Sequence, residues 1–309
     1  MSLVINHNLM AMNAQRNLSG HYNRLGVSTR RLSSGLRVGT AADDAAGLAI
    51  RELMRSEIKS LHQGVRNASD AISLIQTADG ALQVIDEKLI RLKELAMQAS
   101  TGTYNSDQRM IIDSEYQAMC SEITRIANAT DFNGIYLLNG NLSGDPGIDH
   151  NGTGLQSTGP LKIHFGTGND SAEDYYYVAI QGSSASAFGL GHLASLKTNG
   201  TTWEAQNAGK SISTQALAQT AMEAINQAII SKDKIRANLG SMQNRLENTI
   251  TNLEIQAENL QAAESRISDV DVAQEMTEFV RNQILTQSAV AMLAQANSLP
   301  RMAMQLIGG

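Results

Sequence analysis

The chain has 309 residues, 42% of them hydrophobic and only 4% aromatic, so it can bury a core and that core must be aliphatic. A net charge of −6 and a pI near 5.5 exclude the basic face a nucleic-acid binder needs. A lone Cys120 excludes an intrachain disulfide or a cysteine-rich zinc site.

The N-terminus has no basic stretch leading into an apolar one, which argues against a cleaved signal peptide. No apolar run is long enough to span a bilayer, so we expect no membrane insertion. Residues 2–36 place Leu18, Tyr22, Leu25, Thr29 and Leu32 at alternating steps of four and three, which predicts an amphipathic helix. Thr40 followed by Asp43 and Asp44 predicts an N-cap and an acidic first turn, opening a helix over about 41–100. Along it runs an apolar stripe: Ile58, Leu61, Val65, Ala68, Ile72, Ile75, Ala78, Leu82, Ile85, Leu89, Leu92, Ala96 and Ala99. The spacing is coiled-coil-like, with one slip at Ile75–Ala78. A shorter helix over 107–129 offers Ile111, Met119, Ile123 and Ile126 to the same core.

The middle differs in kind. Residues 130–205 gather Phe132, Tyr136, Phe165, Tyr175, Tyr176, Tyr177, Phe188 and Trp203, together with Pro146 and Pro160. Segments 161–165 and 175–181 read as short strands joined by the turn-rich Gly166–Asp170. Beyond it a second stripe runs Ile225, Ala228, Lys232, Ile235, Leu239, Met242, Leu246, Thr249, Leu253, Gln256, Leu260, Ala263 and Ile267. The last segment, 272–299, carries Val272, Met276, Phe279, Val280, Ile284, Leu285, Val290, Leu293 and Leu299, with Pro300 a candidate terminator. The pattern is mainly α: a folded-back rod of long helices with coiled-coil-like packing and a small β-hairpin region. The three prolines leave two long stretches free for such helices, with Pro146 and Pro160 where the chain reverses.

Motifs for chemistry are missing. The six histidines are dispersed, and no His-Glu-x-x-His, paired-Cys or phosphate-loop pattern occurs. Asp43 and Asp44 fit a helix first turn better than a metal site, and the loop acids Asp145, Asp149, Asp170 and Asp174 lack calcium-loop spacing. Cys120 lies in a helical pattern as a small apolar residue. We expect no enzyme, no cofactor and no metal.

The segments Val4-Ile-Asn-His-Asn-Leu-Met-Ala-Met-Asn-Ala-Gln-Arg16, Leu32-Ser-Ser-Gly-Leu-Arg37 and Ala41-Ala-Asp-Asp-Ala-Ala-Gly-Leu-Ala-Ile-Arg51 resemble the opening of bacterial flagellins. Leu239-Gly-Ser-Met-Gln-Asn-Arg245, Arg266-Ile-Ser-Asp-Val-Asp271 and Leu293-Ala-Gln-Ala-Asn-Ser-Leu-Pro300 are similar to that family's C-terminal signatures. The likeness covers roughly residues 1–140 and 210–309. It implies a subunit that polymerises into the flagellar filament for swimming, outside the cell. It further implies an inner coiled-coil domain from the arms 1–40 and 268–309. A helical domain from 41–140 and 211–267 and a short variable region, 141–210, complete the plan. The implied partners are further copies of the chain, the type III flagellar export apparatus and an export chaperone, and the filament cap and hook-junction proteins. The polymerisation arms are represented by Leu18, Tyr22, Leu25, Leu32, Met276, Val280, Ile284 and Leu293. The arms are expected to order on assembly, because their apolar stripes lack a partner in the monomer.

The resemblance carries one more implication. Leu89-Ile-Arg-Leu-Lys-Glu-Leu-Ala-Met-Gln98 is similar to the stretch that flagellins present to the animal Toll-like receptor 5. The matching receptor contacts are Arg91, Leu95 and Gln98, with Glu122 and Arg125 on the next helix. A hook-filament junction protein is the alternative within the same class. An adhesin displaying Tyr175–Tyr177 is the alternative from another.

Overall fold

The computed structural model describes residues 8–143, 159–170, 173–191 and 210–307. Pro146, Asp145, Asp149, His150, His192 and Trp203 lie outside the described residues. Five helices are described: α1 Leu9–Ser34, α2 Ala45–Ser100, α3 Ser106–Ala129, α4 Gln215–Ser268 and α5 Val272–Ile307. The strands are β1 Asp131–Phe132, β2 Ile135–Tyr136, β3 Leu161–His164 and β4 Tyr175–Val178, paired as two antiparallel two-stranded sheets. The mainly α reading with a small β part holds.

The chain divides into two compact units, Met1–Lys59 with Ala257–Gly309, and Ser60–Gln256. In the first unit α1 packs along α5. Side-chain oxygens cap both helices. Asn8 Oδ1 accepts from the Ala11 amide at 3.1 Å, and Asp271 Oδ1 accepts from Ala273 at 3.0 Å. Gly35, at φ 72, ends α1 in the left-handed conformation that spares glycine a Cβ clash. The backbone then pairs with the break between α4 and α5. Arg37 donates to the Ser268 carbonyl at 2.7 Å, and Val270 donates to that of Gly35 at 3.0 Å. Buried Arg51 reaches back to the Val38 carbonyl at 2.6 Å.

The start of α2 departs from the sequence reading. Thr40 and Asp43 form a turn of their own, with the Asp43 carboxylate accepting from the Thr40 amide and hydroxyl. Asp44 accepts from the Gly47 amide at 3.0 Å, which is the N-cap bond, so the helix begins at Ala45. At the other end, α5 continues through Pro300 to Ile307 rather than stopping there. A proline costs one backbone hydrogen bond, a loss that a helix of 36 residues carries.

In the second unit the α2 stripe forms the core. From Leu61 to Ala99 every stripe residue is buried except Val65 and Ile72, which are half-buried. α3 opens with a capping box, Asn105 and Gln108 bonding each other's backbone amides. It buries Ile112, Tyr116, Cys120, Ile123 and Ala127. Ile111 is 72% exposed, against expectation: the inward face of α3 runs through its neighbour Ile112. α4 contributes Ile225, Ala228, Ile235, Leu239 and Leu246 to the same cluster. Near its C-terminal end the buried position is Ala257 and not Gln256, a one-residue drift of the stripe.

The small sheets close the unit. Asn133 and Gly134, at φ 52 and 80, make the two-residue turn between β1 and β2 that needs two positive φ values. β3 and β4 bury Ile163 and Val178, while Tyr176 lies 4.6 Å from Phe165 and under the Arg245 guanidinium at 3.6 Å. Gly64 of α2 lets the Phe165 backbone approach so closely that a Cβ there would sit 2.0 Å from its carbonyl oxygen. Asn67, one turn on, donates to the His164 carbonyl at 2.8 Å.

Candidate functional site

Two surfaces hold the residues singled out in the sequence. The first is the α1/α5 pair. The helices run antiparallel: Asn8 meets Ala296 at one end, and Arg31 lies 3.6 Å from Glu275 at the other. Leu18, Leu25 and Leu32 are half-buried on α1, and so are Phe279, Leu285 and Leu293 on α5. The seam also buries polar groups, Ser28, Asn282 and Thr286. Asn282 and Thr286 satisfy themselves by donating to carbonyls one turn back. Tyr22, Met276, Val280 and Ile284 point away from the seam, Ile284 with 56% of its surface exposed. The eight arm residues therefore divide. Four pack the pair and four are exposed: Met276, Val280 and Ile284, one turn apart on an outward apolar face of α5, and Tyr22 on α1. The expectation that the stripes lack a monomer partner applies only to that outward face, because α1 and α5 cover each other's inner sides.

The second surface lies on α2 and α3. Arg91 forks between Glu115 of α3 at 2.7 Å and Glu94 of its own helix at 3.0 Å. Hydrogen bonding to Glu115, then to Glu94, holds its guanidinium above its ordinary pKa. Gln98 is exposed and donates to the Tyr104 hydroxyl at 3.1 Å. Glu122 and Arg125 pair at 2.6 Å, and this bond lowers the Glu122 pKa and raises that of Arg125. Leu95 stands apart: at 1% exposure its side chain belongs to the core beneath the surface. Arg91, Gln98 and Arg125 are exposed and Glu122 half-buried, so the polar members can be touched from outside and Leu95 can only position them.

Among the described residues no cluster of three metal-ligating side chains occurs, and no helix is long and apolar enough to cross a membrane. Cys120 is buried against Tyr116 and Gly191, and burial pushes its thiol pKa up to about 12. A thiol so far from ionisation is a poor nucleophile.

Comparison with known proteins decides the family. The bacterial flagellin N-terminal helical region matches residues 5–143, and the bacterial flagellin C-terminal helical region matches residues 222–307. A flagellin of Halalkalibacterium halodurans is 41% identical over 99% of this chain and 100% of its own. A flagellin of Bacillus subtilis is 41% identical over 98% of this chain and 99% of its own. A flagellar filament 33 kDa core protein of Treponema phagedenis is 37% identical over 99% and 100%.

The chain belongs to the bacterial flagellin family.

Flagellins are structural proteins, the subunits of bacterial flagellar filaments, and the aliphatic long-helix composition suits that role. The α4 stripe of this flagellin chain also holds a charge that its apolar spacing does not announce. Lys232 stands in the α4 stripe yet is 2% exposed and ion-paired, its ammonium 2.6 Å from Asp86 of α2 and 2.7 Å from Asp233. Burial alone would lower its pKa, but hydrogen bonds to Asp233 and Asp86 outweigh it and raise the pKa. One turn on, Arg236 grips Asp79 with both arms, at 2.7 and 3.2 Å. The available signal was a lysine at an apolar position of one stripe with acids seven apart beside the other.

Proposed function

We propose that the chain is the subunit of a bacterial flagellar filament, built by copies that join through the outward faces of α1 and α5. The observation that carries this reading is the exposed apolar face of Met276, Val280 and Ile284 on α5, with Tyr22 exposed on α1, in the regions matched to both ends of the family. Residues 1–40 and 268–309 form the inner coiled-coil arms. They become fully helical on polymerisation, because the α1/α5 seam buries polar groups and leaves an apolar side uncovered. The chain performs no catalysis and binds no cofactor. It leaves the cell unfolded through the flagellar type III apparatus, aided by a chaperone, and adds to a filament outside the cell between the hook-junction proteins and the cap. Circular dichroism before and after polymerisation tests the ordering step; helix content should rise, and an unchanged spectrum counts against it.

The same subunit, as monomer, is a ligand of Toll-like receptor 5 through Arg91, Gln98, Glu122 and Arg125, with Leu95 holding the helix beneath them. Exposure of these polar groups on adjoining helices supports this reading. A reporter-cell assay with clean monomer tests it. A hook-filament junction protein is the competing assignment. The intact Leu293-Ala-Gln-Ala-Asn297 signature favours the filament subunit.

A further inference from the structure

We infer that the ion pairs Lys232–Asp86 and Arg236–Asp79 set the heptad register of α4 against α2, so that only one alignment of the two stripes is populated. The problem they solve is physical. Both stripes repeat at steps of three and four over some forty residues, and nearly every position is a small or aliphatic residue. Sliding one helix past the other by seven residues, about 10 Å at 1.5 Å per residue, again sets apolar against apolar. Hydrophobic burial is non-directional, so it discriminates poorly among such alignments.

The charges discriminate strongly. Lys232 is the one charged position in the α4 stripe, and it is almost fully buried. In the observed alignment its ammonium meets Asp86 at 2.6 Å while Arg236 meets Asp79 at 2.7 Å. The pairs run in opposite senses along the two helices, as antiparallel packing requires. A slip of seven one way sets Lys232 beside Lys93, a buried cation against a like charge. A slip of seven the other way gives Lys232 to Asp79, but leaves Arg236 beside Ile72 and Asp86 opposite Ile225. Each wrong alignment therefore breaks an interhelical pair and sets a charge against a like charge or against an apolar side chain. Lys232 is buried, while Arg236 and Asp79 are each 32% exposed, so the second pair adds little net stability; fixing register is the best-attested use of a pair with a buried member. Asp79 and Asp86 both follow, on its C-terminal side, the point where the α2 stripe slips its own repeat at Ile75–Ala78.

The test uses the full chain with Cys120→Ser and spin labels on Val84→Cys and Ile230→Cys, both exposed positions, one on each helix. Double electron–electron resonance should give one distance population in this parent. Lys232→Met with Arg236→Met should retain the helical circular dichroism and add a second population displaced by one heptad. The swapped chain, Asp79→Arg, Asp86→Lys, Lys232→Asp and Arg236→Asp, should return to a single population at the parent distance. A single unchanged distance in the Met variant overturns the inference. So does a swapped chain that stays split. Loss of helicity in the Met variant overturns it too, because the pairs would then supply stability and not alignment.

Discussion

The Asn8 side-chain nitrogen, Nδ2, donates to the Ala296 carbonyl at 2.7 Å across 288 positions of sequence. The same Asn8 side chain caps α1 through its oxygen. One residue thus starts the first helix and ties it to the last, and the two ends of the described chain are held as a pair. What the pair leaves uncovered is the apolar side of α5, Met276, Val280 and Ile284, and the proposed contact between subunits lies there.

Replacing Val280 and Ile284 by Asp places two carboxylates on that uncovered side, where both residues are exposed in the monomer. Monomer helicity and thermal midpoint should change little, as exposed substitutions shift stability by about 0.5 kcal/mol or less. Polymerisation should be lost, because each carboxylate would be desolvated in the subunit contact. Sedimentation after salting-out with sulfate checks this. Filaments of ordinary yield would remove these residues from the interface.

Leu95 and Arg91 should separate packing from recognition. Leu95→Ala empties a fully buried position and should lower stability by about 2–5 kcal/mol in urea titrations. Arg91→Ala loses two exposed ion pairs, leaves the unfolding midpoint nearly unchanged, and should weaken receptor signalling by monomer several-fold. A midpoint that drops as far for Arg91→Ala as for Leu95→Ala would show that the surface is structural.

Two α2 glycines should respond oppositely to alanine. Gly64→Ala drives a Cβ into the Phe165 carbonyl and should cost at least about 1–3 kcal/mol while loosening the β3–β4 pair. Gly80 has open space around its Cβ position, and Gly80→Ala should gain up to about 1 kcal/mol of helix propensity. Thermal melts of both variants check the pair of signs.

Cys120 should resist maleimide and disulfide reagents at neutral pH in the native chain and react once unfolded. Its pKa is raised from 9.0 to about 12 by burial, with the Asp113 charge adding to it, so the folded thiol stays protonated where an unfolded one ionises. The buried Tyr116 hydroxyl is shifted upward as well, chiefly by burial. A raised folded pKa gives stability that is complete below the unfolded value and is lost as pH climbs through the folded one. Denaturant midpoints should therefore fall as pH rises from about 9 toward 12. A midpoint flat across that window would contradict the burial.

The sequence revealed some parts of this architecture and hid others for physical reasons. The α2 stripe was legible because a buried helix face repeats its period for forty residues, and one slip at Ile75–Ala78 does not blur it. Ile111 and Ile112 are adjacent and chemically identical, so periodicity over a helix of 24 residues leaves a choice that only α2 makes. Thr40 and Asp44 both suit an N-cap, and the tight Thr40–Asp43 turn decided for the later one. The arms were the least legible. α5 is apolar on both sides, so no amphipathic face announces which residues meet α1. The seam instead buries Asn282 and Thr286 and turns Val280 and Ile284 outward. Lys232 was hidden because its partner Asp86 lies 146 positions away.

Electron microscopy of the purified chain under polymerising conditions shows whether the chain is a filament subunit. Long filaments that keep growing while monomer is supplied are the expected result. A chain that stays monomeric, or that stops at a short layer, would contradict that role.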